Sequence, residues 1–177
     1  MNSKIKIFDN FLDEKDFQKL VSDDPAWNLQ TSNFPRVKGE LTFLSYDKTS
    51  DEFFNTYLFG KVAEILDRGY YNLLKVYFNG QWNGREGALH SDNCDITALI
   101  YMSPYQYGWG GFTEIMTEPE PTLVYPIPNR LIIFPGKIRH KAYSFAYQDC
   151  PLRVTLAFKI NQECLTQYFL KHPFAWH

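Results

Sequence analysis

Two histidines and an aspartate supply the first pattern in this sequence that could do chemistry. His90-Ser91-Asp92 sets an imidazole and a carboxylate two residues apart, and His140 follows far downstream. Two neutral imidazoles and one carboxylate on one face of a metal ion form a facial triad. It suits Fe(II) and leaves the opposite face open for a second reactant and O₂. With four His and eleven Asp in 177 residues, a His-x-Asp arises by accident in about one such chain in four, so the tripeptide is weak without its context. That context is an apolar lead, Gly87-Ala88-Leu89. A strand over Ala88–Asp92 would project residues i and i+2 to one side, where His90 and Asp92 could share a metal.

The third ligand has to come from His140, His172 or His177, and the last two lie with Pro173 in a stretch that reads as a tail. His140 follows the buried-strand run Leu131-Ile132-Ile133-Phe134 and the turn signal Pro135-Gly136. The chain from Ile138 is therefore expected to run back antiparallel beside the preceding strand. The bland alternative is a surface histidine between Arg139 and Lys141.

Arg153 opens a second pattern. In Arg153–Ile160, Val154, Leu156, Phe158 and Ile160 alternate with Arg153, Thr155, Ala157 and Lys159, the period of a strand. If the apolar set packs against helices, Arg153 and Thr155 point together to the other face, where a guanidinium fork and a hydroxyl can grip one carboxylate. The distal carboxylate of 2-oxoglutarate would fit such a pair. The competing reading is an arginine paired with an acidic neighbour.

In their order and spacing these pieces resemble the 2-oxoglutarate and Fe(II)-dependent dioxygenases, and among them the short forms similar to prolyl 4-hydroxylase catalytic domains. The resemblance spans most of the chain. It rests on Val76-Tyr77 with Gly80, His90-Ser91-Asp92, Thr97–Tyr101, Gly110-Gly111 after Trp109, Phe134–His140 and Arg153-Val154-Thr155. It implies that His90, Asp92 and His140 bind Fe(II) as the catalytic centre. It also implies that Arg153 holds the far carboxylate of 2-oxoglutarate and that Tyr77 and Asn79 line the cosubstrate pocket. The implied reaction couples 2-oxoglutarate decarboxylation by O₂ to hydroxylation of a substrate, with ascorbate as an optional reductant. The implied substrate is a peptide or protein, first of all a prolyl residue, or a small molecule. One departure is expected at Ile100, where some members place a second cosubstrate tyrosine.

Composition fits one catalytic domain over 1–177. Residues 1–72 would support a jelly-roll core over 73–160, and 161–177 would form a C-terminal helix and tail. The expected fold is mainly β with flanking helices, a double-stranded β-helix of the cupin-like kind. An apolar content of 45% and an aromatic content of 18% exclude a disordered chain. A net charge of −2 lacks the basic footprint of a nucleic-acid binder. The first residues lack the apolar run of a secretion signal, and no run of 18 apolar residues could span a bilayer. An intracellular, cytoplasmic protein without a membrane partner is expected. Cys94, Cys150 and Cys164 read as reduced thiols, with Cys94 close enough to Asp92 in sequence to face the metal.

The positioning elements follow from periodicity. A strand is expected over 4–8, then a helix capped by Asp13 with Phe17, Leu20 and Val21 inward. Strands over 27–31 and 41–46 precede a helix over 51–68 with the stripe Phe54, Leu58, Val62 and Ile65, stopped by Gly69. Eight strands follow, over 73–79, 88–92, 95–102, 111–116, 122–125, 130–134, 138–146 and 153–160, and then a helix over 162–171. Trp82, Arg85, Tyr105, Tyr107 and Trp109 fall in loops beside the metal motif and could contact substrate. Lys137, Arg139 and Lys141 could attract an acidic one. Two rivals from other classes stand: a non-catalytic jelly-roll module binding carbohydrate through those aromatics, and a cupin-like metalloenzyme without 2-oxoglutarate.

Overall fold

Alternate residues of the central strands face two different cores, and that double burial builds the fold. The computed structural model describes residues 5–31, 41–66 and 69–163. In chain order these form β1 (Lys6–Phe8), α1 (Glu14–Val21), β2 (Asn28–Gln30), β3 (Phe43–Asp47), a π-wound turn (Phe53–Leu58) leading into α2 (Phe59–Ile65), β4 (Tyr70–Gln81), β5 (Ile96–Tyr101), β6 (Thr113–Ile115), β7 (Thr122–Val124), β8 (Leu131–Pro135), β9 (His140–Ala142) and β10 (Arg153–Glu163). A seven-stranded sheet runs β1-β8-β5-β10-β4-β3-β2, and a three-stranded sheet runs β7-β6-β9. Every pairing is antiparallel.

One face of the large sheet carries Val76, Phe78, Ala98, Ile100, Leu131, Ile133, Leu156, Phe158 and Ile160. These pack on Leu20 of α1, on Phe54 and Leu58 of the π turn, and on Val62 of α2. The residues between them, Leu99, Tyr101, Ile132, Phe134 and Ala157, turn the other way and meet Ile115 and Val124 of the small sheet. A strand covered on both faces reads as a continuous apolar run, which is why Leu131–Phe134 shows no alternation while β10, open to a polar interior at Arg153, Thr155 and Lys159, does. The outward set of β10 packs on helices as its pattern predicts.

Asp13 caps α1 by accepting from the Asp16 amide at 2.9 Å, satisfying one of the free donors of the first turn. Leu20 is fully buried, but Val21, expected beside it, is exposed, since one residue of helix rotates the side chain by about 100°.

Seven of the eight expected C-terminal strands contain a strand, and three details differ. Ala88–Asp92 is not a strand: its only ladder contact is a bridge between His90 and His140. The β9 strand, expected beside β8, pairs with β6 across the barrel instead, because the outer neighbour position along β8 is already taken by β1. Gln162 and Glu163, assigned to a final helix, extend β10 against Tyr71 and Tyr70. The rest of that helix, with His172 and His177, lies outside the described residues. Among the described residues no helix is long and apolar enough to cross a membrane.

Phe158, fully buried between the large sheet and the helices, reports on this packing. Phe158→Ala should destabilise the protein by about 3–5 kcal/mol, read as a lowered urea midpoint with an unchanged slope.

Candidate metal centre and anion pocket

His90 and His140 are joined before any ligand is considered. The His90 amide donates to the His140 carbonyl at 3.0 Å, and the His140 amide donates back at 2.7 Å. This one reciprocal pair ties the segment before β5 to the start of β9. The Asp92 amide donates to the carbonyl of Gly136 at 2.7 Å, which fixes the carboxylate beside them. A side chain at Gly136 would meet the carbonyl and sulfur of Cys94 at 2.7 Å, so the turn admits only glycine without displacement.

The ligand atoms of His90, Asp92 and His140 lie within 4.8 Å of one another. His90 Nδ1 sits 2.8 Å from the Ala88 carbonyl and His140 Nδ1 sits 2.9 Å from the Ile138 carbonyl. A carbonyl only accepts, so each Nδ1 carries a proton and each ring turns its Nε2 inward. The two Nε2 atoms approach Asp92, at 3.6 Å from Oδ1 for His90 and 3.4 Å from Oδ2 for His140. Two ring nitrogens and a carboxylate thus converge, and this donor set fits a facial Fe(II) site.

Charge and burial reinforce that state. Burial holds the His90 pKa below its ordinary value, with the neighbouring His140 acting in the same sense, so the imidazole stays neutral as a ligand must. Burial opposes ionisation of Asp92, yet His140 and Lys159 outweigh it and hold the carboxyl far below the usual range.

Above the triad, Arg153 is 1% exposed. Its Nε donates to the Gly111 carbonyl at 2.6 Å, one terminal nitrogen to Gln81 Oε1 at 2.7 Å, and the other to Thr113 Oγ1 at 3.0 Å. All three acceptors are neutral. The Tyr101 ring lies 5.4 Å from the guanidinium, and its hydroxyl donates to Thr113 at 2.7 Å. The approach of Gly111 needs glycine twice over: its φ is +73°, and a Cβ there would meet Phe145 at 2.5 Å. Of five guanidinium N–H groups three are spent on this cradle, and the acidic partner of the competing reading is absent among the described residues.

One cavity of about 200 Å³ connects the two features, lined by His90, Asp92, His140, Arg153, Thr155, Tyr77 and Asn79 together with Gln81, Leu99, Thr113 and Lys159. Every site residue expected from the sequence is thus brought to one space. Asn79 Oδ1 is buried there with no hydrogen-bond partner among the described residues. Burial raises the Tyr77 phenol, against the pull of Lys159, so it remains an O–H donor.

Ile100 is corrected: it faces the helices, and its neighbour Tyr101 turns inward beside Arg153. Sequence reasoning missed Tyr101 by one residue, and it missed Gln81, Thr113 and Lys159. The alternation of β10 puts Lys159 on the face of Arg153 and could have found it. The loop aromatics do not reach the cavity. Trp109 packs edge-on against Phe145, Tyr105 stacks on the same ring, and Tyr107 is 91% exposed. Arg85 lies over Trp82. Cys94 is buried, and its sulfur lies against the Ile96 carbonyl and the Thr97 hydroxyl rather than with the triad. Lys141 is paired with Glu86 at 2.8 Å, while Lys137 and Arg139 are exposed.

No protein-family model and no curated protein matches the sequence. Solved structures do match. A prolyl-4-hydroxylase from Pseudomonas putida aligns at 13% identity with a TM-score of 0.65, over 92% of this chain and 94% of its own. A prolyl hydroxylase from Trichoplax adhaerens, in complex with a hypoxia inducible factor oxygen degradation domain peptide fragment, aligns at 17% identity and 0.65, over 91% and 84%. HygX from Streptomyces hygroscopicus, with nickel and 2-oxoglutarate bound, aligns at 12% identity and 0.66, over 90% and 83%. The chain therefore has the jelly-roll fold of these proteins.

The depressed pKa of His90 sets a pH dependence. As pH falls below the ordinary value of 6.5, the unfolded chain takes the proton before the folded one. The His90 contribution is then present above 6.5 and lost as pH falls toward the folded pKa. The metal-free protein should lose melting temperature between pH 7.5 and 5.5 in thermal scans, and His90→Gln should lose less. Equal losses would mean that His90 is not held neutral.

Proposed function

We propose that this protein is an Fe(II)- and 2-oxoglutarate-dependent dioxygenase that hydroxylates its substrate and releases succinate and CO₂. The reading is carried by one observation: a buried guanidinium with only neutral partners shares a cavity with three convergent metal donors. A ligand that satisfies both ends must chelate or contact the metal at one end and carry a carboxylate at the other. A 2-oxo dicarboxylate does this.

His90 Nε2, Asp92 and His140 Nε2 would hold the metal. Arg153 would turn its unspent N–H groups to the far carboxylate, with Thr155 as the second grip. Thr113 accepts from both Arg153 and Tyr101, which leaves its own proton free to donate. Tyr77 and Asn79 form the side wall. Fe(II), when bound, supplies O₂ activation and the oxidative decarboxylation of the keto acid. The chain supplies orientation and exclusion of water. Asp92, being a carboxylate, would fill the coordination position that halide would need, which favours hydroxylation over halogenation.

The substrate we infer is a prolyl residue of a peptide or protein. Two of the structures named above are prolyl hydroxylases, one with a peptide in place, and here Gln30 and Thr31 at β2 and Phe43 and Ser45 of β3 line the cavity. A cupin-like enzyme without 2-oxoglutarate would leave Arg153 uncompensated. A glycan-binding module would want its loop aromatics at the cavity, whereas Trp82, Tyr105, Tyr107 and Trp109 lie outside it.

Anaerobic titration with Fe(II) and then 2-oxoglutarate should produce the weak visible charge-transfer band of a keto acid chelated to ferrous iron, and Asp92→Ala should abolish it. Arg153→Lys keeps the charge but loses the fork and should weaken 2-oxoglutarate by about 10- to 100-fold. Iron binding without the band would sink the cosubstrate assignment. For the substrate, mass spectrometry of proline-containing peptides should show one added oxygen on proline, and a peptide panel without turnover would reject it.

A further inference from the structure

Lys159 lies in the same cavity but takes no part in the function proposed above. It sits on β10, paired with Thr97 of β5 and Lys75 of β4, and its side chain is 14% exposed. Its ammonium contacts one particular oxygen, Oδ2 of Asp92. That oxygen also accepts from the Thr97 hydroxyl at 2.5 Å. Oδ1 is left facing His90 Nε2. The two oxygens of the carboxylate are thus chemically unequal before any metal arrives: one is tied by an ammonium and a hydroxyl, and the other is bare.

We propose that Lys159 is a positioning residue that makes Asp92 a one-oxygen ligand through Oδ1 and weakens its donation, so that the centre holds its divalent metal less tightly than the same three ligands would alone. This rests on the metal reading above and adds a sign to it. Partners beyond the ligands usually tighten a site by raising ligand basicity. An ammonium on the far oxygen does the opposite, since it withdraws charge from the carboxylate and adds a positive charge close to the cation. The Thr97 hydroxyl alone would still orient the carboxylate. The specific contribution of Lys159 is therefore its charge.

The probe is Mn(II) added to the metal-free protein, with affinity measured by calorimetry for the wild type, Lys159→Met and Lys159→Arg, and folding of each checked by circular dichroism. Lys159→Met should bind Mn(II) about tenfold more tightly, while Lys159→Arg, which keeps the charge, should stay near the wild type. General damage to the site could only loosen the metal, so a gain is a readout that a structural role does not produce. Unchanged or weaker binding by folded Lys159→Met, with the wild type binding normally, overturns the role of Lys159 and leaves the metal centre standing. Failure of the wild type to bind Mn(II) at all overturns both.

Discussion

The interior of the barrel carries a charge it does not balance, and the placement of nearly every polar group follows from that. Arg153 and Lys159 face inward from one strand, and Asp92 is the carboxylate they share the cavity with. Lys159 answers Asp92. Arg153 is left with neutral acceptors, and burial works against even its charge. A buried cation is costly unless its donors are bonded. Hence the tight Gly111 carbonyl, the Gln81 amide and the Thr113 hydroxyl are gathered from three separate segments. The cradle holds the cation in place without neutralising it, and so keeps an electrostatic demand available for an anionic ligand.

His90 and His140 obey a complementary constraint. Their Nδ1 protons are committed outward, to the carbonyls of Ala88 and Ile138, so both rings turn Nε2 toward Asp92. One end of the cavity is therefore built to attract a cation and the other an anion. The two ends are held apart by the strands β4, β5 and β10, whose registers are fixed by continuous antiparallel pairing.

Much of this was legible in the sequence, because it depends on period and on residue type. The alternation of β10 named Arg153 and Thr155 as inward residues, and the His-x-Asp spacing with a later histidine named the triad. The misses have a different character. Ile100 was taken for Tyr101 because the phase of β5, buried on both faces, cannot be read from its own residues and is set by its pairing with β10. The partners of Arg153 come from positions 40 to 72 residues away, and no local pattern announces them. His90 and Asp92 converge without a strand beneath them, through a bridge to His140 and a bond to Gly136, so the expected geometry arises by another route. That the fold persists in structures sharing 11–17% of their residues with this chain follows from the same logic: a sheet covered on both faces asks for apolar residues of suitable bulk rather than particular ones.

The size of the cavity has a consequence for reach. About 200 Å³ is below the roughly 300 Å³ at which pockets begin to enclose drug-sized ligands, and a dicarboxylate stretched from Arg153 toward the triad would take up most of it. On the function proposed above, the substrate would then have to enter as a projection from its parent, a single ring or side chain, while the body of the molecule stays outside. Selectivity would in that case be exercised on two scales: the inner walls would judge the shape of a few atoms, and the lining from β2 and β3 would judge the chain that carries them.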